Sequence, residues 1–194
     1  MANPAVRYTY VLSYKWLSVL NLSAAYMRFS QLDQVLELEP GVRIRAIKRL
    51  SPSEHYLKDH FPRFPVMPGV IMLEALFQAG AWLVKQSEDF AHSVVLLKEA
   101  RNIKYSDFVA PGQTLEVTAE ILKQDVELTT LKVQATVAWN VAVTGRLVLE
   151  RFNLADRYPL RADTDPYLRY KTRNTLAKLL SPTGPDSDTI ATIV

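Results

Sequence analysis

The chain has 194 residues, 48% of them apolar, a formal charge of +3 and no cysteine. That length suits one domain with a full core. The missing cysteines exclude disulfides and thiolate metal sites, the mild, evenly mixed charge gives no nucleic-acid footprint, and nothing marks an oxidising compartment, so a cytoplasmic protein is expected.

Residues 8–27 are rich in Tyr, Leu, Val and Ala, but Ser13, Lys15, Asn21 and Ser23 interrupt them. No run of about 18 apolar residues is left to cross a membrane. Ser23-Ala24-Ala25 is only faintly similar to a signal cleavage site. Residues 1–28 therefore read as a dispensable extension. Val35–Leu38 reads as a short strand, Glu39-Pro40-Gly41 as a turn, and Val42–Ile47, alternating apolar with basic, as a half-buried strand. Ser51-Pro52-Ser53-Glu54 predicts the start of a helical turn, with Ser51 as cap and Pro52 in the first position. Residues 58–68 form a proline-rich loop. Gly69 to about Lys85 predicts a helix of roughly four to five turns. It is apolar nearly all round, as a helix buried in a core is.

Strands follow. Ser93–Leu97 is apolar, Ala110–Gln113 is a turn, and Leu115–Ile121 alternates. Leu131–Val143 reads as one alternating strand through Val133, Ala135, Val137 and Trp139; Gly145 breaks it and Arg146–Phe152 resumes it. Two strands, one buried helix and about four further strands predict an α+β domain, with a curved antiparallel sheet wrapped around one long central helix. From Ala155 the chain turns polar. Arg157, Arg161, Arg169, Lys171, Arg173 and Lys178 read as a solvated tail, and Ser181–Asp188 as disordered. The domain is expected over 29–154, with 155–194 a basic extension.

The chemistry concentrates in His60-Phe61-Pro62-Arg63-Phe64-Pro65-Val66-Met67-Pro68-Gly69-Val70 and the helix that follows. Histidine is the side chain most easily tuned to proton transfer near neutral pH. Three prolines fix the backbone around His60, and Phe61 and Phe64 give it an apolar surround. His55 and His92 lack such a context. Glu74 is the one acid on an apolar helix, where a lone carboxylate is rarely placed unless paired or functional. Gln78 lies on the same face, one turn on. The helix start offers the free N–H groups of Gly69 and Val70 to a carbonyl oxygen. One imidazole, one carboxylate, one amide and one helix N-terminus suit proton transfer next to a carbonyl. Phe61, Met72, Leu73 and Phe77 are candidate lining for an acyl chain.

His60-Phe61-Pro62, Pro65–Val70, Glu74-Ala75 and Gln78, with fourteen residues from His60 to Glu74, resemble the signature of the FabZ-type 3-hydroxyacyl-acyl-carrier-protein dehydratases. The similarity continues through Asn102–Tyr105 and Val109–Gln113 and covers about Phe29–Phe152. The resemblance implies a hot-dog fold, a homodimer whose sheets join edge to edge, and assembly up to a trimer of dimers. It implies His60 as the base at carbon 2, Glu74 of the partner chain serving the leaving 3-hydroxyl, and Gly69 N–H on the thioester oxygen. It implies an acyl carrier protein, or a CoA thioester, as partner; the substrate carries its own phosphopantetheine, and no cofactor or metal is expected. Lys98, Arg101 and Lys104, with Arg63, are expected to dock the acidic carrier. Asp59 and Arg63 replace glycines common in the family, and Arg63 is expected either to close over the site or to meet the anionic phosphopantetheine. An acyl thioesterase or a non-catalytic acyl-binding protein on the same fold are the alternatives.

Overall fold

The computed structural model describes residues 29–181. The N-terminal extension, with its membrane and signal readings, and residues 182–188 of the disordered reading lie outside the described residues. Strands β1 (Gln34–Glu39) and β2 (Arg43–Arg49) precede helix α1 (Gly69–Ser87). Strands β3 (Val94–Tyr105), β4 (Thr114–Gln124), β5 (Leu128–Val137) and β6 (Asn140–Phe152) follow it. The six strands form one sheet in the order β1-β2-β4-β5-β6-β3, antiparallel throughout. No helix among the described residues is long and apolar enough to cross a membrane.

The alternation read in the sequence sets the core. Leu115, Val117 and Ala119 on β4 and Leu131, Val133 and Ala135 on β5 all turn inward and are buried. They meet one face of α1, made by Met72, Ala75, Leu76, Ala79 and Leu83 at helical spacing. The other face is less covered than an all-round apolar helix predicts. Ile71, Leu73, Glu74, Phe77 and Gln78 are only half-buried, because the sheet embraces α1 from one side.

The structure corrects three local expectations. Ser51 starts a turn rather than a helix: its Oγ accepts the Ser53 N–H at 3.2 Å, and helical geometry begins only at His55–Lys58. A serine hydroxyl that serves the backbone two residues on competes with the helical bond. Leu131–Val143 is two strands, joined at Ala138-Trp139, where φ is +47° and +74°. A two-residue hairpin with positive φ at both central residues is of the type that Asn-Gly usually supplies; Ala-Trp gives no such signal. Gly145 does not break β6. A Cβ there would lie 2.3 Å from Ile103 Cδ1 and 3.3 Å from Arg101 O, so the bulged β3 closes over it. Gly145→Ala is therefore expected to cost about 1–3 kcal/mol, as overpacked cores do, read as a lower denaturant midpoint.

Residues 155–181 are mostly helical rather than an unstructured tail. Asn153 and Asp156 form a capping box on the short helix α2 (Leu154–Arg157), and Thr164–Leu180 forms helix α3. Leu176 of α3 enters the core near Phe90, at the end of α1. Asp165 is buried and accepts from Ser93 Oγ and from the Leu154 and Ala155 N–H groups at 2.8 and 3.0 Å. Burial alone would raise its pKa; those donors and the Arg169 charge outweigh it and hold it below the usual carboxylate range. Some of the cations expected in water have partners. Arg157 lies 3.6 Å over the Phe152 ring and 2.9 Å from Glu150, and Arg173 pairs with Asp89 at 3.0 Å. Beside them, Arg151 is buried at 4% exposure. It donates to Thr129 Oγ1, Asp125 O and Val126 O, and its Nε meets Glu88 Oε1 as a charge contact rather than an aligned hydrogen bond.

Candidate active site

The loop that carries His60 is held at both ends by backbone bonds. His60 N–H donates to Tyr56 O at 3.1 Å, Val66 N–H to His60 O at 2.9 Å, and Met67 N–H to Val109 O at 2.9 Å. Val66 and Met67 are buried, so the loop is pinned to the core beneath the imidazole. Phe61 and Phe64 close a small turn by mutual backbone bonds, and the Phe61 ring stacks on His60 at 4.2 Å. The His60–Phe61 peptide bond is cis.

Among the described residues the imidazole makes one hydrogen bond, from Nδ1 to Val66 O at 3.0 Å. A carbonyl only accepts, so Nδ1 carries the hydrogen. In neutral His60 the lone pair is then on Nε2, and the ring is oriented for one-sided base work.

Helix α1 begins at Gly69 behind Pro68. Pro68 O takes the N–H groups of Ile71 and Met72 at 2.9 and 3.2 Å, while Gly69 and Val70 N–H have no acceptor among the described residues. These two donors stand at the positive end of a helix of 19 residues. A side chain at 69 would crowd the Tyr105 ring, whose Cε1 would be 3.0 Å from its Cβ. Tyr105 belongs to the Asn102–Tyr105 stretch that carries the resemblance, but its place against Gly69 comes from the sheet, which brings the end of β3 to the start of α1. Burial pushes its hydroxyl pKa up, so the phenol stays neutral at working pH.

Glu74 sits in the second turn of α1, half-buried, and its Oε1 accepts from Gln78 Nε2 at 2.9 Å. Gln78, expected at the substrate, has both donors and its acceptor engaged with the protein: Nε2 also reaches Phe29 O, and Oε1 takes the Gln31 N–H, each at 2.8 Å. Within one chain no hydrogen bond or ion pair among the described residues joins His60 to Glu74. Of the expected lining, Met72 packs into the core, Leu73 and Phe77 stand at its margin, and Phe61 and Val70 are exposed. Arg63 and Asp59 are exposed, and no hydrogen bond or ion pair among the described residues engages the Arg63 side chain.

The expected docking cations lie on β3. Lys98 pairs with Glu150 at 3.6 Å and Arg101 with Glu99, while Lys104 has no ion-pair partner among the described residues. Strand register adds two cations the sequence alone does not place there. Arg101 faces Arg146 on β6, and Arg146 faces Lys132 on β5. Three cations in one cross-strand row oppose the usual preference for alternating charge.

A family profile described as a FabA-like domain matches residues 22–150. The 3-hydroxyacyl-[acyl-carrier-protein] dehydratase FabZ of Ruminiclostridium cellulolyticum is 38% identical over 119 residues, which cover 61% of this chain and 84% of that protein. The FabZ of Geobacillus thermodenitrificans is 36% identical over 132 residues, 66% of this chain and 87% of that protein. Among solved structures, the dehydratase heterocomplex ApeI:P from Xenorhabdus doucetiae superposes with a TM-score of 0.55 at 19% identity, over 69% of this chain and 90% of that one. Conserved protein PA5202 from Pseudomonas aeruginosa gives 0.53 at 16%, over 66% and 94%. At those identities the structures speak for the fold alone. The match to the family profile and the identity to full-length relatives, on a sheet wrapped around α1, place this chain in the FabA-like domain family, among the FabZ-type dehydratases with a hot-dog fold.

Proposed function

We propose that this chain dehydrates 3-hydroxyacyl thioesters held on an acyl carrier protein to trans-2-enoyl thioesters, in cytoplasmic fatty-acid or related lipid synthesis. The observation that carries the reading is the His60 ring, with Nδ1 engaged by Val66 O and Nε2 left for substrate. His60 Nε2 takes the proton from carbon 2. The negative charge that develops on the thioester oxygen falls on the Gly69 and Val70 N–H groups, and a donor of that kind is worth about 2.7–4 kcal/mol. The carbon 3–oxygen bond breaks, and the hydroxyl leaves as water with a proton from Glu74 or from a water that Glu74 holds. The chemistry asks for no metal or redox group.

The working unit in this reading is a homodimer joined along β3, with Glu74 of one chain serving His60 of the other. Three observations support it. The outer edge of β3 pairs with no strand among the described residues. Phe61, Phe64, Val70, Tyr105 and Phe108 are exposed around the start of α1, with Phe64 edge-on to Phe108 at 5.7 Å. An apolar patch of that kind marks an interface. His60 and Glu74 do not meet within a chain.

The test is to incubate the protein with 3-hydroxyacyl thioesters and follow enoyl product and free thiol together. Enoyl product without thiol supports dehydration; thiol alone replaces it with a thioesterase.

The carrier is expected to dock on Lys98, Arg101, Lys104 and Arg63, with Arg146 and Lys132 extending the basic row. Surface charge acts mainly on the rate of encounter. Lys104→Glu should therefore raise KM for the carrier-bound substrate and leave a small thioester substrate unaffected. Equal loss on both substrates argues for damage to the site instead.

A further inference from the structure

Glu74 is a flexible side chain on a half-covered helix face, and a proton donor works only when its oxygen is held where the leaving group will be. The Gln78 amide has one orientation that fits its neighbours. Phe29 O only accepts, so Nε2 must face it at 2.8 Å; Gln31 N–H only donates, so Oε1 must face it at 2.8 Å. Those two bonds fix the amide plane from outside α1. The remaining Nε2 hydrogen is thereby aimed at Glu74 Oε1, 2.9 Å away, which leaves Oε2 for the reacting atoms.

The segment that makes these bonds is itself anchored. Gln31 and Leu32 are buried at 5% and 3% exposure. Asp33 N–H donates to Ile47 O at 2.8 Å, and Asp33 Oδ2 accepts the Arg49 N–H at 2.5 Å. Lys48 Nζ lies 3.6 Å from Asp33 and 2.8 Å from Glu54, which precedes the turn leading to His60. The same short segment thus touches Gln78 at one end and, through Lys48, is linked to Glu54 on the approach to His60 at the other.

We propose that Phe29–Asp33 is a strap that positions Glu74 through Gln78, so that Gln78 is a positioning residue rather than a substrate ligand; this rests on the dehydratase reading of Glu74. Gln31→Pro deletes the N–H that fixes the amide, and Gln31→Ala, which loses the same side chain but keeps that N–H, is its reference. In the full chain, kcat of Gln31→Pro should fall about ten- to a hundredfold below that of Gln31→Ala, with KM little changed. The difference should vanish when Gln78 is Leu in both, because the two changes act through one carboxylate. No difference, or one that persists with Leu at 78, overturns the strap. Gln78→Glu gives a second reading that does not depend on proline at 31. It keeps an acceptor for Gln31 and loses both donors, so kcat must fall as in Gln78→Leu, and an unchanged kcat overturns the proposal. If the unaltered protein forms no enoyl product, the dehydratase reading fails by itself. The strap is then judged by exchange of the Gln78 side-chain amide protons: protected in Gln31→Ala and unprotected in Gln31→Pro if it holds, equal in both if it does not.

Discussion

His60→Ala should lower turnover of a 3-hydroxyacyl thioester by about 10²–10⁴-fold, the usual contribution of a positioned acid or base, with KM and the unfolding transition little changed. The imidazole is half-buried and makes a single side-chain hydrogen bond, so its removal leaves the loop on the backbone bonds to Tyr56, Val66 and Val109. Glu74→Gln should fall in the same range. It keeps an acceptor for Gln78 and loses the transferable proton, which separates chemistry from packing. A variant at either position that keeps most of its turnover removes that residue from the reaction.

Arg151→Met should destabilise the fold by about 3–5 kcal/mol, because it strips the partner from a buried charge. Arg151 is the hub of the far end of the sheet. Its guanidinium serves Thr129, Asp125 and Val126 as well as Glu88, which also receives Gln124 at 3.1 Å and His92 at 2.7 Å. Met fills the stem but leaves Glu88, two carbonyls and a hydroxyl short of donors. The effect should appear as a fall in the urea midpoint with an unchanged slope. Adding Glu88→Gln should recover part of the loss, and a midpoint near that of the parent protein shows that solvent reaches Glu88 in the native state.

What the sequence discloses and what it hides divide along physical lines. Alternation of period two placed β4 and the inward faces of β5 and β6, because one face of the sheet is dry. The proline run and the lone acid of α1 placed His60 and Glu74, because both break a local pattern. Contacts set by register are not written in any window of residues. Tyr105 against Gly69, Ile103 over Gly145 and the row Arg101–Arg146–Lys132 all depend on which strands are neighbours. The hairpin at Ala138-Trp139 was hidden because neither residue is a usual turn former; the pairing of β5 with β6, closed by Val137 opposite Asn140, sets its positive φ. The helices after β6 were hidden because the polar residues that tie them to the domain do so through specific partners: Asp165 to Ser93 and the α2 N–H groups, Arg157 to Phe152 and Glu150, Arg173 to Asp89. Composition reads such residues as solvated, since it counts charges without their partners.

If each site is shared between two chains, mixing two inactive variants restores activity. His60→Ala and Glu74→Ala are each purified, shown to be folded and inactive, and then mixed under conditions in which labelled subunits exchange. A mixed dimer has one site lacking both groups and one with both intact. Random exchange makes about half the dimers mixed, so about a quarter of the parent protein's sites, and of its enoyl-forming activity, should return. Demonstrated exchange with no return of activity contradicts the shared site and leaves His60 and Glu74 to act within one chain.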